Sequence, residues 1–278
     1  PSKPSGEFDP GISVKVAESI GEALKNKQDY HLVVLTSTVL PGSTRRELKT
    51  ALESRSGKTC GRDFGLCYSP EFIAIGEVIK GLLHPDYFLI GEFDKRSGDI
   101  LESIYRQEAG EDARVVRMSL ENAELTKVSV NAYVTMKISY ANTLSRICDR
   151  MPGGDARAVA RAVGLDSRVG PAYLTPGPAF GGPCFPRDDR AFAWYAGTLG
   201  VTANLAQATD RTNREQLVYL TELVSKDLPA GSRVAMLGLS YKPRTGLLEE
   251  SQAVFVARGL LDAGYKVVAY DPLAEQDD

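Results

Sequence analysis

Residues 120–150 contain neither proline nor glycine, and this absence of helix breakers constrains the fold more than any other feature. Proline removes a helical donor and glycine costs backbone entropy, so nothing interrupts a helix here. Ser119 suits the N-cap, and Glu121 falls in the first turn. The run predicts one continuous helix about 45 Å long at 1.5 Å per residue. Such a helix spans a small domain, and suits either a connector between two bodies or an interface between copies of the chain.

Strands and helices alternate on both sides of it. Ahead of it the pattern predicts a helix over 12–27, a strand over 32–35, a helix over 43–54 and strands over 64–68 and 87–90, then a helix over 94–106 and a short strand over 114–116. This alternation argues for a parallel, helix-covered sheet. The usual opening unit, a strand with G-x-G-x-x-G starting a helix, is missing from the pattern, so these residues read as the rear of a doubly wound domain. Further helices follow over 155–163 and 205–226. The strand–helix–strand unit over 233–238, 251–263 and 266–270 cannot bury both faces of a sheet alone, and reads as the start of a larger domain. The expected class is α/β: a partial Rossmann-like domain over 1–118, an all-helical central domain over 119–228, and the beginning of a second Rossmann-like domain over 229–278. The chain is therefore expected to be truncated at both ends.

Composition narrows the partners. With 278 residues, 43% hydrophobic and 25% charged, the chain can bury a sizeable core, and its net charge of −3 supplies no basic field for nucleic acid. Apolar runs are strand-length, so no membrane span is expected and the protein reads as cytoplasmic. Cys60, Cys67, Cys148 and Cys184 form no C-x-x-C pair and meet only two histidines, which argues against a metal centre or a disulfide framework.

Chemistry concentrates in the run from Pro176 to Asp188, Pro-Gly-Pro-Ala-Phe-Gly-Gly-Pro-Cys-Phe-Pro-Arg-Asp. Its glycines permit close backbone approach to a ligand, and Pro186 suits a first helical turn. Cys184 would then lie at a helix N-terminus, where the macrodipole favours thiolate. Asp188, four residues on, falls on the same face. The pattern reads as a nucleophile with a carboxylate beside it, or as a small buried cysteine in a turn. On the long helix Glu124, Lys127 and Asn131 share one face, either as a solvated polar stripe or as a functional one.

Five motifs occur in an order that resembles the UDP-glucose/GDP-mannose dehydrogenase family. They are Ser37-Thr38-Val39-Leu40-Pro41-Gly42, Ser69-Pro70-Glu71-Phe72, Ala123-Glu124-Leu125-Thr126-Lys127 with Asn131, the Cys184 loop, and Leu237-Gly238-Leu239-Ser240-Tyr241-Lys242-Pro243. The Lys-x-x-x-Asn element alone also resembles the 6-phosphogluconate and hydroxyisobutyrate dehydrogenases, which perform one oxidation and need no thiol. The resemblance implies NAD as cofactor, a nucleotide sugar (a UDP-hexose first) as substrate, and oxidation at C6 to the uronic acid through a Cys184 thiohemiacetal and thioester. It assigns oxyanion stabilisation to Lys127 and Asn131, hydrolytic base work to Asp188, and orientation of a water or hydroxyl to Thr38 and Glu71. Ser37, Thr38, Val39 and Cys184 would meet the cofactor. Tyr173, Gly177, Gly181, Tyr241 and Lys242 would meet the substrate, and Arg168 would reach a neighbouring subunit's site in a homodimer or larger homo-oligomer.

Three positions qualify this. Ile75 replaces a second glutamate common in UDP-glucose and GDP-mannose enzymes, which points toward UDP-N-acetylhexosamine as an alternative sugar beside GDP-mannose. Glu249 stands where an arginine is expected near the cofactor phosphates. Asp271 ends a strand as a ribose-binding acid would, but Gly238-Leu239-Ser240 is no dinucleotide fingerprint, so that role is rejected. The remaining alternatives are a two-electron β-hydroxyacid-type dehydrogenase and a non-catalytic dimeric fragment.

Overall fold

Period-two alternation along short strands builds the first sheet. On β1 (His31–Leu35) Val33 points to one face and Leu32 and Val34 to the other; on β2 (Phe64–Tyr68) Phe64 and Leu66 share the face of Val33, and Cys67 takes the opposite one. The first face is covered by α1 (Gly11–Leu24) and α2 (Lys49–Ser56), through Ala17, Leu24, Ala51 and Leu52. After α3 (Val78–Leu83), β3 (Phe88–Glu92) contributes Ile90 to the second face, which α4 (Lys95–Ala109) covers through Leu101 and Tyr105 before β4 (Val115–Ser119). This computed structural model describes residues 2–72 and 78–274, and the chain forms two units, residues 1–130 and 131–278.

The first sheet has the order β1-β2-β3-β4. Pairing is parallel at β1–β2 and β3–β4 but antiparallel at β2–β3, where only Cys67 with Glu92 and Tyr68 with Gly91 are in register. The expectation of a parallel sheet thus holds within each strand–helix–strand unit and fails at the seam between them. A parallel step needs a covering crossover, which α2 and α4 provide inside the two units.

The long helix, α5 (Leu120–Cys148), is continuous. It is followed by α6 (Ala156–Leu165), capped by Asp155 on the N–H groups of Arg157 and Ala158, then α7 (Phe185–Thr198) and α8 (Asn204–Asp227). In the second unit α7 packs on α8, and α8 on α9 (Gln252–Asp262), which joins the parallel strands β5 (Arg233–Leu237) and β6 (Lys266–Tyr270). Leu237, Val268 and Tyr270 on these strands are largely exposed. Among the described residues no helix is long and apolar enough to cross a membrane.

Candidate active site

In the second unit Cys184 is exposed and occupies the N-cap position of α7, with Pro186 in the first turn. The N–H of Asp188 donates to the Cys184 carbonyl at 2.8 Å, closing that turn. The Asp188 side chain is fully buried beneath it. Asn131 Nδ2 donates to Asp188 Oδ2 at 2.6 Å, and Arg187 Nε donates to Oδ1 at 3.1 Å. A carboxylate held by an amide and a guanidinium has its lone pairs oriented and its charge compensated. Two residues separated by most of the central sequence are thereby joined, α5 to α7.

The loop ahead of the thiol needs its glycines. A Cβ on Gly181 would lie 2.1 Å from the Glu250 carbonyl oxygen, and one on Gly182 (φ +80°) would lie 2.4 Å from the Tyr241 ring. Tyr241 therefore rests on the backbone next to Cys184. Its hydroxyl is pushed up by burial and by the nearby Cys184 thiol. Lys242 Nζ lies 5.7 Å from the centroid of the same ring. Tyr173 takes a left-handed backbone (φ +60°), uncommon for a bulky side chain, and meets Phe185 edge-on with centroids 6.5 Å apart. Arg168 is 87% exposed and pairs with Asp166 at 2.7 Å. Asp271 accepts from the N–H of Leu273 at 2.8 Å and from those of Ser240 and Leu239, both at 2.7 Å, and these donors hold its carboxyl low. The carboxylate thus organises the turn before Tyr241. Glu249 is exposed, while Glu250 pairs with Arg190 at 2.6 Å and accepts the Gly182 N–H on its carbonyl.

In the first unit the α5 stripe is not solvated. Glu124 is fully buried and accepts from the N–H of Gly42 at 2.5 Å and of Thr44 at 2.8 Å, so its burial pushes its carboxyl up while those donors oppose the shift. It satisfies N–H groups at the start of the helical turn that leads into α2. Lys127, 9% exposed, donates from Nζ to the Glu71 carbonyl at 2.8 Å and lies 4.7 Å from the Phe72 ring centroid. Beyond β1, Ser37 is exposed, Thr38 half-buried and Val39 buried. A small cavity of about 60 Å³ is lined by Thr36, Ser69, Glu71, Phe72 and Tyr87. Ile75 lies outside the described residues.

Several groups escaped the sequence reading because their partners are remote. Asp189, Asn142, Asn213 and Gln216 are buried polar residues on helices, and no local spacing marks them out. A cavity of about 470 Å³ lies behind the loop, with Phe180, Pro186, Arg190, Leu217 and Phe255 in its wall. Cys60, Cys67 and Cys148 are buried and in no disulfide; burial pushes the Cys60 and Cys67 thiols up to about 12. Among the described residues no His, Cys, Asp and Glu side chains gather as metal ligands.

Sequence models of the UDP-glucose/GDP-mannose dehydrogenase family match in three segments: the NAD binding domain over residues 1–109, the central domain over 121–215 and the UDP binding domain over 235–278. The chain is 37% identical over its whole length to a UDP-glucose 6-dehydrogenase of Haloferax volcanii, covering 65% of that protein. It is 36% identical to a GDP-mannose 6-dehydrogenase of Pseudomonas aeruginosa, over 98% of this chain and 61% of that protein. A solved UDP-glucose dehydrogenase from Pyrobaculum islandicum superimposes with a TM-score of 0.92 at 35% identity, over 99% of this chain and 62% of that one. The chain thus spans less than two thirds of the length of these relatives.

Proposed function

Because the chain belongs to the UDP-glucose/GDP-mannose dehydrogenase family, we propose that the protein carrying it is an NAD-dependent nucleotide-sugar 6-dehydrogenase. It oxidises the C6 hydroxyl of a UDP-hexose, UDP-glucose first, by four electrons to the uronic acid. The observation that carries this reading is the exposed Cys184 at the N-cap of α7, with Asp188 buried one turn on in the hydrogen bond of Asn131. A two-electron dehydrogenase has no use for that thiol. GDP-mannose, the substrate named for the Pseudomonas relative, and UDP-N-acetylhexosamines are the alternative sugars.

NAD, when bound, takes up the electron pair of each oxidation. The first oxidation converts the alcohol to an aldehyde, and the Cys184 thiolate adds to it. A carbon–sulfur bond forms and the carbonyl pair moves to oxygen, giving a thiohemiacetal that cannot diffuse away. The second oxidation turns this adduct into a thioester. Water then attacks the thioester carbonyl, the carbon–sulfur bond breaks, and the carboxylate leaves with the thiol regenerated. Asp188 takes the proton of the attacking water, and its two fixed hydrogen bonds keep the receiving oxygen in place. Lys127 and Asn131, one turn apart on α5, supply the cation and amide N–H that stabilise the oxyanions. Thr38 and Glu71 orient the reacting hydroxyl or a water, with Ser37 and Val39 beside the cofactor.

The remaining assignments belong to the same proposal. Tyr173, Gly177, Gly181, Tyr241 and Lys242 contact the nucleotide sugar, and Arg168 reaches the site of a second copy. The parts over 1–118, 119–228 and 229–278 serve cofactor, catalysis with dimerisation, and nucleotide sugar. Support for a homodimer lies on α5, where Tyr133, Tyr140 and Ile147 are each more than half exposed at seven-residue spacing, the seam of paired helices. A cytoplasmic location follows from a substrate and cofactor that are cytoplasmic metabolites. The test is the NADH yield per sugar for UDP-glucose, UDP-N-acetyl sugars and GDP-mannose. Two NADH per sugar are expected with one of them; a yield of one would move the protein to the two-electron relatives.

A further inference from the structure

Residues 174–184 form neither strand nor helix, and side-chain amides replace the missing backbone partners. Asn213 grips Phe180 twice: Oδ1 accepts from its N–H and Nδ2 donates to its carbonyl, each at 2.8 Å. This is the pair of bonds that a neighbouring strand would make, and it fixes the peptide planes on both sides of Phe180. Asn142 Oδ1 accepts from the Gly177 N–H at 2.8 Å, and Gln216 Nε2 donates to the Gly177 carbonyl at 3.3 Å. Asn213 and Gln216 share one face of α8, and Asn142 projects from α5. All three are buried.

These amides are a poor device for stability alone. Among the described residues Asn142 Nδ2 and Gln216 Oε1 remain buried without a hydrogen-bond partner, an arrangement that costs free energy and that apolar side chains would avoid. What the amides supply instead is a fixed path for the backbone from Gly177 to Phe180, four residues before the thiol. We propose that Asn213, with Asn142 and Gln216, forms a set of positioning residues that holds this loop in the shape that receives the nucleotide sugar, and so determines affinity for that substrate and not for the cofactor. The inference rests on the proposed reading that the loop faces the nucleotide sugar.

The experiment uses the whole protein, with UDP-glucose and NAD⁺ as probes. In Asn213→Ala the KM for UDP-glucose is expected to rise about tenfold, the cost of one or two lost hydrogen bonds, while the KM for NAD⁺ and the kcat stay within about twofold. Gln216→Met removes one bond to the loop together with the unpartnered Oε1. It is expected to melt no lower than the wild type and still to raise the KM for UDP-glucose, a combination that a merely structural residue does not produce. An unchanged KM in a folded Gln216→Met protein, or equal rises for both probes, overturns the proposal. A wild type that binds UDP-glucose without turning it over refutes the proposed reaction and leaves the same comparison readable as Kd by calorimetry. A wild type that does not bind UDP-glucose at all overturns the proposal as well.

Discussion

Asp188 and Asp189 are neighbours in sequence with opposite surroundings. Asp188 receives an amide and a guanidinium; among the described residues Asp189, equally buried, receives only the Thr135 hydroxyl at 2.9 Å, and its Oδ2 has no hydrogen-bond partner. Burial, with Asp210 and Asp188 adding like charge, pushes the Asp189 carboxyl up to about 8. In the unfolded chain it titrates near the ordinary value of about 4. Between these values the folded state holds the extra proton, so the contribution of Asp189 to stability is complete below about pH 4 and is lost as pH rises to about 8. Asp189→Asn should therefore gain in melting temperature over the wild type as pH is raised from about 5 to about 8; parallel melting curves would show the carboxyl to be ionised throughout. The placing of Cys184 and Asp188 one turn apart at the start of a helix was legible in the sequence because a four-residue step along a helix is a local rule. The protonation of Asp189 and the burial of Glu124 were not, since each depends on partners brought in by the tertiary fold.

The long helix was the most legible element, because an unbroken run without proline or glycine leaves a helix little competition. What the run did not disclose is how its faces divide. Glu124 and Lys127 turn inward in the first unit, while Tyr133, Tyr140 and Ile147 stay exposed, a stripe concealed by tyrosines and flanking polar residues. If that stripe is the seam between two copies, Tyr140→Glu places a charge against its own counterpart and should shift the molecular mass measured by light scattering from dimer toward monomer; an unchanged mass would locate the interface elsewhere. The sheet was legible strand by strand through hydrophobic runs. Its antiparallel seam was not, because β2 and β3 meet through only two residue pairs and alternation looks the same in either direction. The short helix α3 had no periodic pattern of its own to announce it.

At the scale of the molecule, two units share α5, which contributes Glu124 and Lys127 to one and Asn131, Thr135 and Asn142 to the other. One helix thus carries the lysine and amide of the proposed chemistry, the hydrogen-bond partner of Asp188 and part of the grip on the loop ahead of Cys184. The order of motifs along the chain disclosed the family, since five short patterns in register leave little room for coincidence. The sugar stays outside their reach, because the matched relatives act on different ones while sharing the same fold. The proposed reaction requires Cys184 as a covalent catalyst, and the most direct measurement is the NADH yield and rate of Cys184→Ser beside the wild type with the sugar that the wild type oxidises. Two NADH per sugar in the wild type, with a rate at least about 10³-fold lower and a yield below two in the variant, is the expected result. A variant that still delivers two NADH at an undiminished rate would contradict it.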